Sequence, residues 1–403
     1  MISFLEFTFR YSILWHNKQK HLDRNLPKSI WLLRKPLLLL KTRKVLVSYL
    51  LKHFQKETEG TSNKILSLTF SQYESELLKA LPKRNYIDEI VLFKNNNGIQ
   101  LNIILLLIGL TYPDIDKYKF RKISNKFPEL SNNLFRVLKT LAISEIIELL
   151  LHKTEYNKLI LFNDHSPYHR AAYLKSQKQG LAKIYIQHAP VNSEFPELYF
   201  DLNILFSQHS VDSYMNNSNM PIFQYYDLRL KRLKNVPLSD NFNNIVICIN
   251  DIDNPKEVKE LIQYLQNFGY KIRVRPHPLE IKHYTKIFGK SLISPSKSLI
   301  EDLRWSRNFV LNETSVALEI LFAGGHVYKA SFLTKKELKI YDNYDFIKHN
   351  LNLNEVWSKD ELISKVKEIQ NKPTINNITY FTGVNTSADI DDKEKVLETI
   401  LYS

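Results

Sequence analysis

From Lys158 to Ala330 the chain alternates short apolar runs with longer amphipathic stretches, the rhythm of parallel strand–helix–strand units. Strands are expected at Lys158–Phe162, Lys183–Gln187, Leu202–Ser207 and Pro221–Tyr226, with a helix at Pro167–Gln179 closed by Gly180. A second series begins with strand Asn244–Ile249 and helix Pro255–Phe268, closed by Gly269. It continues through strand Lys271–Arg275, helices Leu279–Phe288 and Ser298–Trp305, strand Asn308–Asn312, helix Ser315–Ala323 and strand His326–Ala330. Upstream, Lys64–Phe70 and Tyr86–Phe93 read as strands, and Leu101–Leu107 and Leu134–Leu151 as helices. Leu353–Lys372 and Asp391–Tyr402 read as closing helices. The polar, basic stretch from Arg229 to Asn243 separates the two series and reads as a linker, so domains are expected at 1–232 and 233–403. No sequence repeat relates the halves, yet both carry the same rhythm.

Length and composition fit a folded two-domain protein: 403 residues, 44% hydrophobic, 24% charged, with no long polar tract. The single cysteine, Cys248, excludes an internal disulfide and a Cys-rich zinc site and fits a reducing compartment. Met1–Trp15 lacks the order of a secretory signal. Leu101–Leu110 is too short to span a bilayer, which needs roughly 20 apolar residues. The net charge of +14 is uneven. Between residues 17 and 56, lysines and arginines from Lys18 to Lys56 face Asp23 as the only acid, interleaved with Trp31 and Leu37–Leu40. Residues 1–60 therefore read as a basic helical segment suited to an anionic membrane surface. Nucleic acid is the rival partner, but no zinc finger, RNP-like motif or helix-turn-helix supports it, and an AT-rich genome's composition also yields such a bias.

Four runs carry chemistry. Lys271-Ile-Arg-Val-Arg-Pro-His-Pro278 is a strand that two prolines are expected to end, leaving Arg275 and His277 at its C-terminal edge. A guanidinium beside an imidazole suits a phosphate or carboxylate. Asn163-Asp164-His165-Ser166-Pro167 follows another strand; Asp164 can take a proton from a hydroxyl, or Asp164 or Ser166 can simply cap the helix. Gln187-His188-Ala189-Pro190 again leaves a strand, so His165, His188 and His277 share one location. In Asn312-Glu313-Thr314-Ser315, Thr314 or Ser315 would cap a helix whose free N–H groups make an anion site, with Glu319 one turn inside for a ribose hydroxyl. The plain alternative is capping alone. Gly-x-Gly-x-x-Gly, Gly-Lys-Ser/Thr, His-Glu-x-x-His and Gly-x-Ser-x-Gly are all absent. Asp251-Ile252-Asp253 reads as loop and cap rather than a metal clamp, so no metal and no cofactor is expected.

These runs resemble the metal-independent GT-B transferases of bacterial surface polysaccharides, including capsule, lipooligosaccharide, sialyl- and Kdo-type enzymes. The CDP-glycerol polymerases are similar in the same region. The resemblance covers roughly Lys158–Ala330 and implies a GT-B-like α/β fold, with two Rossmann-like domains facing a central cleft behind the basic N-terminal region. It implies that His277-Pro278 contacts the donor phosphate, that Thr314-Ser315 also holds the donor, and that Asp164 is the base on the acceptor. Gln187-His188-Ala189 is similar to a Gln-His-Gly motif but has Ala where Gly is usual. The expected activity is inverting transfer from a nucleotide-activated sugar, a CMP-activated nonulosonic acid foremost, to a glycan or glycolipid acceptor at the inner face of the cytoplasmic membrane. Catalytic candidates are Asp164, His165 and His188; donor candidates are Arg275, His277, Pro278, Thr314, Ser315 and Glu319. The alternatives are a CDP-polyol phosphotransferase, a sugar-nucleotide epimerase or hydrolase, and a non-catalytic membrane or nucleic-acid binder.

Overall fold

The computed structural model describes residues 44–51, 64–92, 98–112, 121, 134–152, 155–192, 195, 197–215, 220–295, 298–312, 314–334, 351, 353–369, 378–384 and 387–402. Most of the basic segment expected at 1–60 lies outside the described residues, apart from a helical stretch at 44–51. The chain divides into two compact units. The first comprises Met1–His188, Glu194–Leu205 and Tyr214–Phe223; the second comprises Ala189–Ser193, Phe206–Ser213 and Gln224–Ser403.

In the first unit the elements run β1 (Ile65–Thr69), α1 (Gln72–Ala80), β2 (Ile87–Val91), α2 (Gly98–Leu110), α3 (Leu134–Leu151), β3 (Lys158–Leu161), α4 (Pro167–Lys178), β4 (Ala182–Ile186) and β5 (Leu202–Leu205). Helix α5 (Gln208–Met215), most of which belongs to the second unit, and strand β6 (Ile222–Gln224) follow, and the sheet order is β2-β1-β3-β4-β5-β6. β1 pairs in parallel with both β2 and β3. Its five residues are all buried, as a strand covered on both faces requires. Helix α2 is apolar almost all round and packs tightly on α3: a Cβ on Gly109 would lie 2.2 Å from the Leu138 carbonyl oxygen.

In the second unit β7 (Asn244–Ile249), α6 (Pro255–Asn267), β8 (Lys271–Pro276), α7 (Ile281–Phe288), α8 (Leu299–Trp305), β9 (Asn308–Leu311), α9 (Val316–Phe322), β10 (His326–Ala330), β11 (Asn354–Val356) and α10 (Lys359–Ile369) form a five-stranded sheet with its helices. The strand order is β11-β10-β9-β7-β8, with β7 parallel to β8 and β9. α11 (Thr379–Thr382) and α12 (Ser387–Tyr402) close the chain. α6 shows why these stretches are helical. Asn254 caps it by accepting from Lys256 N–H, Pro255 opens it, and Val258, Leu261, Ile262 and Leu265 line its buried face. Each such side chain contributes about 1.5–3 kcal/mol on burial.

Strand β8 ends at the prolines as expected, with Pro276 as its last residue, in register with Ile249. β8 is an edge strand, where a missing N–H costs no ladder bond. The stretch expected as a continuous helix from Leu353 starts instead as β11, which pairs with β10 before α10 begins. The polar run read as a linker begins inside the second unit. Asp227 accepts from Arg229 N–H and starts a 3-10 turn, Leu228–Leu233, that buries Leu228, Arg229, Leu230 and Leu233. Among the described residues no helix is long and apolar enough to cross a membrane.

Candidate functional site

In an α/β sheet of this order, ligands gather beyond the C-terminal ends of the strands where the order reverses, here at β1 and β3 in the first unit and at β7 and β9 in the second. Both places hold residues singled out in the sequence.

Beyond β3, Asn163 makes the turn: its Oδ1 accepts from His165 N–H at 3.0 Å and from Ser166 N–H at 2.7 Å. That leaves the Asp164 carboxylate out of capping, and Ser166, at the N-cap of α4, makes no side-chain cap bond either. Asp164 is 0% exposed. Its Oδ1 lies 2.9 Å from His165 Nδ1, and its Oδ2 accepts from the Tyr214 hydroxyl at 2.8 Å. Its carbonyl accepts from the Tyr199 hydroxyl at 2.5 Å and from Arg170 at 3.3 Å. Burial works to raise the Asp164 carboxyl; the hydrogen bond and charge of His165, then the Tyr214 hydroxyl, more than offset it and hold the group below the ordinary carboxylate range. Both Asp164 oxygens are engaged and the residue has no exposed surface. A carboxylate against Nδ1 favours the tautomer that carries its proton on that nitrogen. The His165 side chain is 19% exposed, with the Phe195 ring edge-on at 5.2 Å.

His188 lies nearby, its ring 6.3 Å from that of His165 and its Nε2 3.5 Å from Asn163 Nδ2. Its pKa is pushed down to about 4, mainly by burial; Glu74 and Asp164 pull it up and His165 and His169 push it down. The imidazole is therefore neutral near pH 7.

A second carboxylate–imidazole pair, missed in the sequence, completes this end. Ser71 accepts from Glu74 N–H at 3.2 Å, and Glu74 Oε2 accepts from Phe70 N–H at 2.7 Å and lies 3.2 Å from His169 Nε2. This resembles a capping box, with the Glu74 carboxylate reaching the N–H of Phe70 rather than that of the N-cap Ser71, and Ser71-x-x-Glu74 directly after a strand was its legible signal. Burial raises the Glu74 carboxyl, but His169 and the Phe70 N–H outweigh it, so the net displacement is downward. Tyr73, on the same turn, donates its hydroxyl to the His188 carbonyl at 3.1 Å.

In the second unit His277 is exposed, and its N–H bonds the Ile249 carbonyl at 2.8 Å, setting it at the end of β7. Desolvation lowers its pKa, against Glu280 and Asp251, which raise it. Pro278 opens the 3-10 turn Pro278–Glu280 that leads into α7. Arg275 is not directed with His277. Its Nη1 donates to Asp302 Oδ2 at 2.8 Å, and Ser294 donates to Oδ1 of the same 0%-exposed carboxylate at 2.6 Å. Arg273 stacks over Trp305 at 4.0 Å on the same helix, α8.

Helix α9 corrects another expectation. It spans seven residues, too short for a strong N-terminal dipole, and Ser315 makes no cap bond. Thr314 Oγ1 is 3.5 Å from Val316 N, while Ser315 Oγ accepts from Arg229 Nη1 at 3.0 Å. Glu319 is held by Arg232 at 2.5 Å and by Arg229 at 3.6 Å. Neither arginine was marked in the sequence, since each sits in a run that reads as polar linker. Among the described residues, no group of three or more His, Cys, Asp or Glu side chains has a metal-holding arrangement.

No protein-family model matches the sequence, and no curated protein matches it. Solved structures do. The chain aligns with UDP-N-acetylglucosamine 2-epimerase from Rickettsia bellii at a TM-score of 0.51 and 11% identity, covering 84% of this chain and 96% of that one. The UDP-GlcNAc 2-epimerase of Methanocaldococcus jannaschii aligns at 0.51 and 13%, covering 84% and 99%. That of Neisseria meningitidis, bound to UDP-GlcNAc, aligns at 0.50 and 12%, covering 84% and 100%. At such identities the likeness is one of fold: the chain has a GT-B-like α/β architecture with two parallel, Rossmann-like sheets.

Proposed function

We propose that this protein is an inverting glycosyltransferase that moves a sugar from a nucleotide donor to a hydroxyl of a glycan or glycolipid acceptor. The observation that carries the reading is the Asp164–His165 pair beyond β3, a buried carboxylate at 2.9 Å from the imidazole Nδ1. His165 Nε2 would take the proton from the acceptor hydroxyl, and Asp164 would stabilise the imidazolium that forms. Asp164 keeps a place in the site, but as the residue that orients the base. His188, neutral, would accept or donate a hydrogen bond to the acceptor. In the second unit His277, with Thr314 and Ser315, would meet the donor phosphate and offset the charge growing on it. Pro278 would fix the turn that presents His277, and Glu319 would take ribose hydroxyls. The donor class supported by the sequence resemblance is a CMP-activated nonulosonic acid, and the basic N-terminal segment would bring the enzyme to an anionic membrane surface.

The test is turnover of CMP-, CDP-, UDP- and GDP-linked donors with and without a glycan acceptor. Product formation should need the acceptor and yield a glycosidic bond. A transferred polyol phosphate would identify a CDP-polyol phosphotransferase. Donor consumption without acceptor would identify an epimerase or hydrolase, and sink the transferase reading.

A further inference from the structure

The 3-10 turn Leu228–Leu233 sets two arginines of unlike freedom on one carboxylate. Arg229 is fixed: its Nε donates to both Asp227 oxygens at 2.9 Å, its Nη2 to Oδ2 at 2.5 Å, and its side chain is 5% exposed. Its remaining nitrogen, Nη1, reaches Ser315 Oγ at 3.0 Å and lies 3.6 Å from Glu319 Oε1. Arg232 is three residues on, and so on the same face of the 3-10 turn. It donates to Glu319 Oε2 at 2.5 Å, but its side chain is 44% exposed, against 6% for Glu319. The Arg229–Asp227 pair is out of water and would leave an uncompensated charge if it opened. The Arg232–Glu319 pair is half in water, and such pairs exchange partners at little cost.

We propose that Arg232 is an anion-binding residue held in reserve on Glu319. When a nucleotide binds, its ribose hydroxyls take Glu319 Oε2, and the displaced guanidinium turns to the nucleotide phosphate. The site selects a nucleoside phosphate over a nucleoside, because the hydroxyls alone must break the pair with nothing to receive the cation. A guanidinium supplies the planar, two-point donor that a phosphate takes. Arg229 stays on Asp227 throughout and keeps Ser315 in place. The inference rests on the reading of the second unit as the donor side.

Isothermal calorimetry with CMP, CDP and UDP, and with cytidine and uridine, tests it on the wild type, Arg232→Met, Arg232→Lys and Glu319→Gln. Arg232→Met should weaken nucleotide binding by about tenfold, the loss of one charge-assisted contact. It should leave nucleoside binding unchanged or tighter. Arg232→Lys should recover part of the nucleotide affinity, and Glu319→Gln should weaken nucleotide and nucleoside alike. Nucleotide binding by Arg232→Met as tight as wild type overturns the proposal, as does an equal loss in Arg232→Lys. A wild-type protein that binds none of the three nucleotides removes the donor-side reading itself and Arg232's role with it, a result distinct from a variant that binds normally.

Discussion

The two sheets share one topology and differ in the chemistry placed on it. Each sets its first strand between its second and third, as β2-β1-β3 and β8-β7-β9, and each bears a fully buried aspartate. Asp164 is partnered by an imidazole and a phenol, Asp302 by guanidinium groups and a serine hydroxyl. Imidazole is a side chain that can gain and lose a proton near neutral pH, the capacity the proposed base requires. Guanidinium never does, so around Asp302 the charges are fixed and paired with one another. The same topology thus carries a titratable pair in one unit and a permanent ion cluster in the other.

The contrast breaks most readily at His165. Glutamine there should lower turnover by about 10²–10⁴-fold, as loss of a general base does, while nucleotide affinity holds; unchanged turnover would take proton transfer away from the first unit. Asp302→Ala, on the other side, should lower stability by about 3 kcal/mol in urea denaturation, because it strips Arg275 and Arg273 of their buried counter-charge. A loss under 1 kcal/mol would mean that the fixed-charge end does not depend on Asp302. Gly109→Ala should cost about 2–3 kcal/mol through overpacking against the Leu138 backbone, with no effect on either chemistry, and a neutral result would show that α2 and α3 can separate.

The smallest effect is in pH. His188 is depressed to about 4 in the folded state from an ordinary value near 6.5, so the unfolded chain binds the proton first as pH falls. Its contribution is complete above pH ~6.5 and is lost as pH falls toward ~4, on the order of 2 kcal/mol after allowance for its partial exposure. His188→Gln should flatten wild-type stability over that window in melts taken at stepped pH. A parallel wild-type and variant profile would place the neutral imidazole elsewhere.

Much of the fold was legible because it rests on local pattern. Asn244–Ile249, Leu134–Leu151 and His326–Ala330 occupy their expected bounds, since apolar periodicity and punctuating Gly and Pro act within a few residues. β11 was misread because three residues ahead of a strong amphipathic helix carry too little pattern to stand apart. The site was legible in part. His165, His188 and His277 follow strands and were found by that position. Glu74 had a signal in its capping box. Tyr214 and Asp302 had none, because what they do is set by distant partners.

The sequence by itself determined the strands, the helices and the parallel pairing rhythm, because those depend on neighbours along the chain. Tertiary structure alone decided that Asp164 is sealed behind His165 and Tyr214, that Arg275 turns to Asp302, and that Arg229 and Arg232 meet Ser315 and Glu319. A charged side chain's role is set by which opposite charge lies within a few ångströms and by how much water remains, and residues far apart in the chain supply both.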